Sequence, residues 1–157
     1  MDLKLEMIVL PVSDIDRAKA FYEKVGFRLD VDYTASDDFR VVHLTPPGSE
    51  CSIIFGEGMT GIPAGAFQGL YLIVSDINEA HAELAARGID VNEIFHDEGG
   101  LLHHGHGGGR CVHDGEGQRR ITGMHPERAS YGSYLTFSDP DGNGWVLQEV
   151  SKRLPGR

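Results

Sequence analysis

Apolar and polar positions follow a pattern that this chain writes twice. Leu10-Pro11-Val12-Ser13-Asp14-Ile15 recurs as Leu72-Ile73-Val74-Ser75-Asp76-Ile77, a shift of 62 positions, and the same shift carries Tyr22 onto Leu84 and Gly26 onto Gly88. Each copy reads as a strand, a capped helix start, an amphipathic helix and a glycine stop. In the first copy residues 3–12 are apolar and extended. Ser13 or Asp14 then caps a helix, because a short oxygen side chain accepts from the orphan N–H groups of the first turn. Ile15, Ala18, Tyr22 and Val25 recur at helical spacing as one inward stripe. Gly26 supplies the left-handed stop. Strands follow over residues 27–33, 39–45 and 51–55, with a polar turn and then Pro46-Pro47-Gly48 between them. Residues 1–56 are thus predicted to form a βαβββ module.

Residues 57–66 are glycine-rich and read as a linker. A second βαβββ module is predicted over residues 67–151. Its first strand ends at Val74, Asp76 caps, and Ile77, Ala80 and Leu84 form the inward stripe. Gly88 stops the helix and residues 89–95 make the next strand. The repeat is then interrupted by residues 96–130, a loop rich in glycine and histidine. Strands resume over residues 131–137 and 145–150, joined by the turn Asp139-Pro140-Asp141-Gly142-Asn143-Gly144. Residues 152–157 read as a tail.

Composition narrows the partners. The 157 residues carry a net charge of −10, which disfavours a phosphate backbone, so no nucleic-acid partner is expected. No apolar run approaches a membrane span, and no signal-peptide pattern opens the sequence, so a cytoplasmic location is expected. Two cysteines, Cys51 and Cys111, form neither a disulfide framework nor a metal-ligand spacing.

The repeated βαβββ unit, with Val-Ser-Asp-Ile after each first strand and Asp-Pro-Asp-Gly-Asn before the last one, resembles the vicinal oxygen chelate superfamily. That group includes glyoxalase I, bleomycin-resistance proteins, fosfomycin-resistance enzymes and extradiol dioxygenases. The resemblance implies an α+β fold in which two modules pair into a half-open antiparallel barrel, helices outside, with a ligand cleft between them. It also implies where a metal would sit. Family ligands occupy the residue five before the Val of Val-Ser-Asp, which here is Met7 and then Gly69. A Glu is expected about seven residues after the first Asp of Asp-Pro-Asp-Gly-Asn, and here that residue is Val146. The fourth strand offers only Ser52 and Ile54. A divalent ion needs several N or O donors on one centre, so the usual metal site is expected to be absent. Gln148 shares the inward parity of Val146, whereas Glu149 is expected to face away.

Six of the eight histidines, His96, His103, His104, His106, His113 and His125, fall in the 96–130 loop. His104 and His106 share a face in extended chain and, with Gln148, form an alternative site for zinc, iron, nickel or manganese. The competing reading is a solvated loop whose glycines resist fixed geometry. Arg119, Arg120 and Arg128 lie in the same loop, each read as a solvated cation or as charge near the cleft mouth. His106-Gly107-Gly108-Gly109 lacks the nucleophile elbow that an esterase requires. The Asp139 turn lacks the bidentate Glu of a calcium loop, whose twelfth position is Val150.

Strand alternation leaves Met7, Val9, His43, Tyr71, Ile73, Val146 and Gln148 as the predicted ligand-binding positions, with His43 the one catalytic candidate. An apolar, aromatic lining with a few polar tips suits a small organic molecule. The expected function is therefore binding of such a molecule without a cofactor, by a homodimer. The alternative is a metal-dependent, glyoxalase-like lyase or dioxygenase served by the loop histidines.

Overall fold

A computed structural model describes residues 1–97 and 120–155 of the chain. Four of the loop histidines, His103, His104, His106 and His113, and Arg119 lie outside the described residues. Two compact units are present, Met1–Phe67 with Asp139–Asn143, and Gln68–Ser138 with Gly144–Arg157. No helix among the described residues is long and apolar enough to cross a membrane.

In the first unit β1 (Met7–Val9) leads to α1 (Ile15–Val25), then β2 (Arg28–Ser36), β3 (Phe39–Thr45) and β4 (Ser52–Gly56), in the sheet order β1-β4-β3-β2. The helix begins where Asp14, held extended, accepts a hydrogen bond from the Arg17 N–H. It ends at Gly26, whose φ of 114° is a left-handed conformation that a side chain would strain. Ala18 and Tyr22 are its buried face. Tyr22 packs its ring against Phe27 and Phe55, at 5.3 and 6.1 Å between centroids. Leu10, Val42, Leu44 and Ile53 complete this core.

The first strand is shorter than the alternation predicts. β4 begins at Ser52, opposite Met7, so the sheet offers no partner to the residues before Glu6. β1 pairs with β4 in parallel, while β2, β3 and β4 are mutually antiparallel. β2 runs past the predicted Tyr33 to Ser36, with ladder irregularities at Leu29/Val31 and Thr34/Ser36.

The second unit repeats the plan. β5 (Leu70–Val74) precedes α2 (Ile77–Ala86), and β6 (Phe95–Asp97), β7 (Arg120–Thr122), β8 (Ser133–Ser138) and β9 (Gly144–Glu149) follow. The order is β5-β9-β8-β6-β7, with β5 and β9 parallel. Neither sheet closes on itself, so two open mixed sheets with one helix each make an α+β fold. Asp76 caps α2 by accepting from the Asn78 and Glu79 N–H groups. Ile77 and Leu84 are its buried residues.

In this unit three details depart from the predicted elements. The strand expected over residues 89–95 is reduced to a bridge at Val91 and the start of β6. The Asn92 side chain, not a second backbone carbonyl, takes the Thr136 N–H at 2.6 Å, which breaks the ladder there. Within the predicted loop, β7 adds a fifth strand, and the eighth strand starts at Ser133 rather than Tyr131.

Candidate functional site

Each sheet has one face against its helix and one free of it. In the first unit strand register builds the helix-free face in rows. Val9, Ile54, His43 and Val31 are successive neighbours in one row. Met7, Ser52 and Thr45 stand in the next, with Arg28 opposite Thr45. Met7 and Val31 are 42% and 40% exposed, so this face carries accessible apolar surface.

A polar track crosses that surface. The Thr45 hydroxyl donates to the Asp30 carboxylate, which leaves the Ser52 hydroxyl to donate to Thr45 at 2.7 Å. The Arg28 Nε donates to Asp30 at 2.6 Å. Arg28, then Thr45, hold the Asp30 carboxyl below its usual range, with a smaller electrostatic contribution from His43. His43 itself is half-buried, and its Nε2 is a buried nitrogen with no hydrogen-bond partner among the described residues. Buried polar groups are otherwise paired almost without exception, so this ring nitrogen is an exception that carries a desolvation cost in the ligand-free chain.

The second unit builds its helix-free face from Tyr71, Val146 and Thr136 in one row and Ile73, Gln148, Tyr134 and Phe95 in the next. Phe95, Tyr134 and Val146 form a buried apolar cluster, with the two rings 5.7 Å apart. The Arg120 guanidinium lies 4.6 Å over the Phe95 ring, a cation–π contact. Tyr71 and Ile73 are 38% and 47% exposed.

Gln148 stands on this face, and its amide is already engaged. Nε2 donates to the Tyr131 carbonyl at 3.0 Å and to the Tyr134 hydroxyl at 3.1 Å. Tyr134 donates in turn to the Tyr131 carbonyl. Tyr131 has φ of 71°, a left-handed conformation costly for a non-glycine residue. These hydrogen bonds, with the Tyr131 N–H donated to the Glu149 carbonyl at 2.8 Å, hold it there.

Glu149 faces the helix side, as alternation predicts. The residue is 1% exposed, and its carboxylate accepts from the Ile77 N–H at the start of α2. Arg128 forks onto it, Nε at 2.9 Å and Nη2 at 2.6 Å, and reaches Asp76 at 3.3 Å. Arg128 is therefore an ion-pair partner and not a solvated loop cation. On the same side His96 is buried with its Nδ1 2.9 Å from the Gly123 carbonyl, so Nδ1 carries the proton. His125 Nδ1 accepts from the Glu127 N–H at 3.2 Å, and the two imidazoles stand edge to face at 5.9 Å.

The residues at the family's metal positions do not fit an ion. Met7 offers a thioether, Gly69 no side chain, and Val146 a fully buried alkyl group between Tyr71 and Thr136. Among the described residues no three His, Cys, Asp or Glu side chains converge on a common point. His104 and His106, the alternative ligands, lie outside the described residues.

Alternation alone would have placed Thr45 and Ser52 beside His43, since they share its parity. Asp30 was beyond that reasoning, because the ladder irregularity between Leu29 and Val31 resets the alternation there. Phe95 entered the face through pairing with Tyr134, a long-range register that the sequence does not state.

Two units on one βαβββ plan, the second enlarged by β7, with these open faces define an α+β protein of one particular class. The description Glyoxalase/Bleomycin resistance protein/Dioxygenase superfamily matches residues 4–147, and the chain belongs to that superfamily. It is similar to TnmS3, an antibiotic binding protein from Streptomyces sp. CB03234, with 28% identity over 96% of this chain and 98% of that one, at a TM-score of 0.64. It is also similar to a glyoxalase/bleomycin resistance protein from the same Streptomyces strain, at 28% identity, 93% and 100% coverage and a TM-score of 0.61. A superfamily member from Sphaerobacter thermophilus DSM 20745 is 25% identical over 94% and 98% of the two chains, at a TM-score of 0.62. No curated protein matches the chain.

Proposed function

We propose that this chain binds a small, largely apolar organic molecule of the antibiotic kind against its helix-free sheet faces, without the usual family metal. The observation that carries the reading is the replacement of the metal-ligand positions by Met7, Gly69 and Val146. The similarity to an antibiotic binding protein across nearly the full length of both chains supports it. Apolar side chains supply contact area, at about 25 cal/mol per Å² removed from water. Orientation comes from a few polar tips, among them His43, whose buried Nε2 has no hydrogen-bond partner among the described residues and becomes available when the side chain turns toward the ligand. Val9, Val31 and Ile54 flank it in the same row, so a hydroxyl or carbonyl on an otherwise greasy ligand has one preferred seat.

The test is isothermal titration calorimetry of the full chain with a panel of small aromatic antibiotics such as doxorubicin, beside elemental analysis of the same preparation. Saturable binding of at least one compound by metal-free protein is the expected result. A tight stoichiometric ion, with binding lost when a chelator removes it, would overturn the reading.

A further inference from the structure

The Gln148 amide can adopt only one orientation. It faces two oxygens, the Tyr131 carbonyl at 3.0 Å and the Tyr134 hydroxyl at 3.1 Å. A backbone carbonyl can only accept, so the group turned toward it is the amide nitrogen with its hydrogens. The Tyr134 hydroxyl gives its single hydrogen to the same carbonyl, so toward Gln148 it too can only accept. Nε2 therefore spends both its hydrogens within the unit. Oε1, an acceptor, is what Gln148 has left to offer. Turning the amide over would set Oε1 against two acceptor oxygens and forfeit both hydrogen bonds, in a residue only 4% exposed.

The frame behind the amide is tied down from both sides. Tyr131 donates its N–H to the Glu149 carbonyl at 2.8 Å, and its hydroxyl accepts from the Leu154 N–H at 3.2 Å. Beside it the Ser130 hydroxyl donates to the Lys152 carbonyl at 2.7 Å and accepts from the Lys152 N–H at 3.0 Å. Arg128 forks onto the Glu149 carboxylate. The turn is thus anchored to β9 and to the segment after it, which makes the Tyr131 carbonyl a fixed point. Next to Gln148 in register stands Ile73, on the edge strand β5, with Tyr71 two residues before it, and both are exposed. A molecule lying over Ile73 meets Gln148 as the next residue of its row.

We propose that Gln148 Oε1 is the specificity-determining atom of this face. It admits a ligand whose polar group donates a hydrogen bond, such as a phenol, an alcohol or an amine N–H, and disfavours one that meets it with an ether or ketone oxygen. The proposal rests on the reading that the helix-free faces take a small organic molecule. An unrestrained glutamine serves either kind of partner by turning its amide over. Gln148 does not, because the turn at Tyr131 and the Tyr134 hydroxyl hold its nitrogen inward. An ether oxygen placed against Oε1 is desolvated beside a second acceptor, and neither finds a hydrogen. Tyr131 and Tyr134 are positioning residues, acting on the ligand through the amide they hold. A donor, in contrast, meets an acceptor already aimed, with no side chain left to order.

The experiment is titration of the full chain with phenol and with anisole, followed by proton–nitrogen correlation NMR. The Gln148 side-chain amide is assigned by its loss in Gln148→Met. The two probes share a ring, and burial of apolar area alone favours anisole, which has the additional methyl group. Phenol is expected to shift the Gln148 amide signals and to bind about tenfold more tightly than anisole. Gln148→Met, an apolar side chain of similar volume, should make anisole the tighter ligand. Tyr134→Phe keeps its ring against Phe95 but removes one of the two anchors of the amide. It should cut the preference for phenol to about threefold or less while anisole binding is unchanged, a shift in selectivity that a loss of packing would not give. Anisole binding the unaltered chain as tightly as phenol would overturn the proposal and leave the binding reading intact. So would a preference for phenol that survives Gln148→Met or is untouched by Tyr134→Phe. No shift at Gln148, Ile73 or Tyr71 with either probe would overturn both.

Discussion

Tyr22, on the buried face of α1, donates its hydroxyl to the Asp139 carboxylate at 2.8 Å. The two residues are far apart in sequence yet belong to one compact unit. Asp139 also accepts from the Asn143 side chain and from the Asp141 and Asn143 N–H groups, and Asn143 donates to the Pro11 carbonyl at 2.9 Å. The Asp-Pro-Asp-Gly-Asn turn is therefore a clip on the start of the first helix. Tyr22→Phe removes one hydrogen bond to a buried carboxylate and keeps the ring packing. It should cost about 2 kcal/mol, read as a lower urea midpoint at unchanged slope.

The buried Glu149 predicts a second loss. Arg128→Ala leaves this carboxylate with the Ile77 N–H but without its cation. Breaking a fully buried pair costs ~3–5 kcal/mol. The Arg128 side chain is 42% exposed, so about 2 kcal/mol is expected in thermal or urea unfolding. Arg128→Lys should recover only part of this, because an ammonium does not reproduce the guanidinium fork.

His43→Leu should move stability and binding in opposite directions. It replaces a buried nitrogen that has no partner among the described residues by an apolar group of similar size, so stability should hold or rise by about 1 kcal/mol. Affinity for a compound found to bind should fall roughly tenfold, the loss of one hydrogen bond, in calorimetric titration. Lower stability with undiminished affinity would remove His43 from the binding face.

Acid sensitivity follows from four carboxylates held below the ordinary value of 3.8. Asp32 is held down by Arg40 and then Lys19. Asp76 is lowered by the Glu79 N–H, against some burial, and by Asn78 and Arg128. At Asp141 burial pushes upward, but the Ser13 hydroxyl and N–H, then Arg17, outweigh it. A depressed folded pKa means that the unfolded chain takes up protons first. The stabilisation is fully present above about pH 4 and is lost as pH falls through the depressed values. Urea midpoints should be flat in these groups from neutrality to mild acid and then drop. Asp32→Asn should shallow that drop without changing the urea slope.

Much of the fold was legible because it depends on local rules. Asp14 and Asp76 cap helices wherever an extended residue precedes an amphipathic run, and Gly26 and Gly88 stop them with positive φ. The parity that sent Glu149 toward the helix and Gln148 away from it is a property of any regular strand. Asp30 and Asn92 escaped the reading for the complementary reason. A ladder irregularity at one, and a side chain competing for a backbone donor at the other, cancel the period on which the inference rests.

From the sequence alone came the repeated strand–helix plan and the helix ends, which depend on residue identity and spacing, and the resemblance built on them pointed to Met7, Gly69 and Val146 as positions without donor side chains. Tertiary structure decided that Gln148 serves Tyr131 and Tyr134, that Arg128 clamps Glu149, and that His43 Nε2 has no partner among the described residues. Hydrogen-bond partners distant in sequence compete for each polar group, and only packing determines which of them arrives.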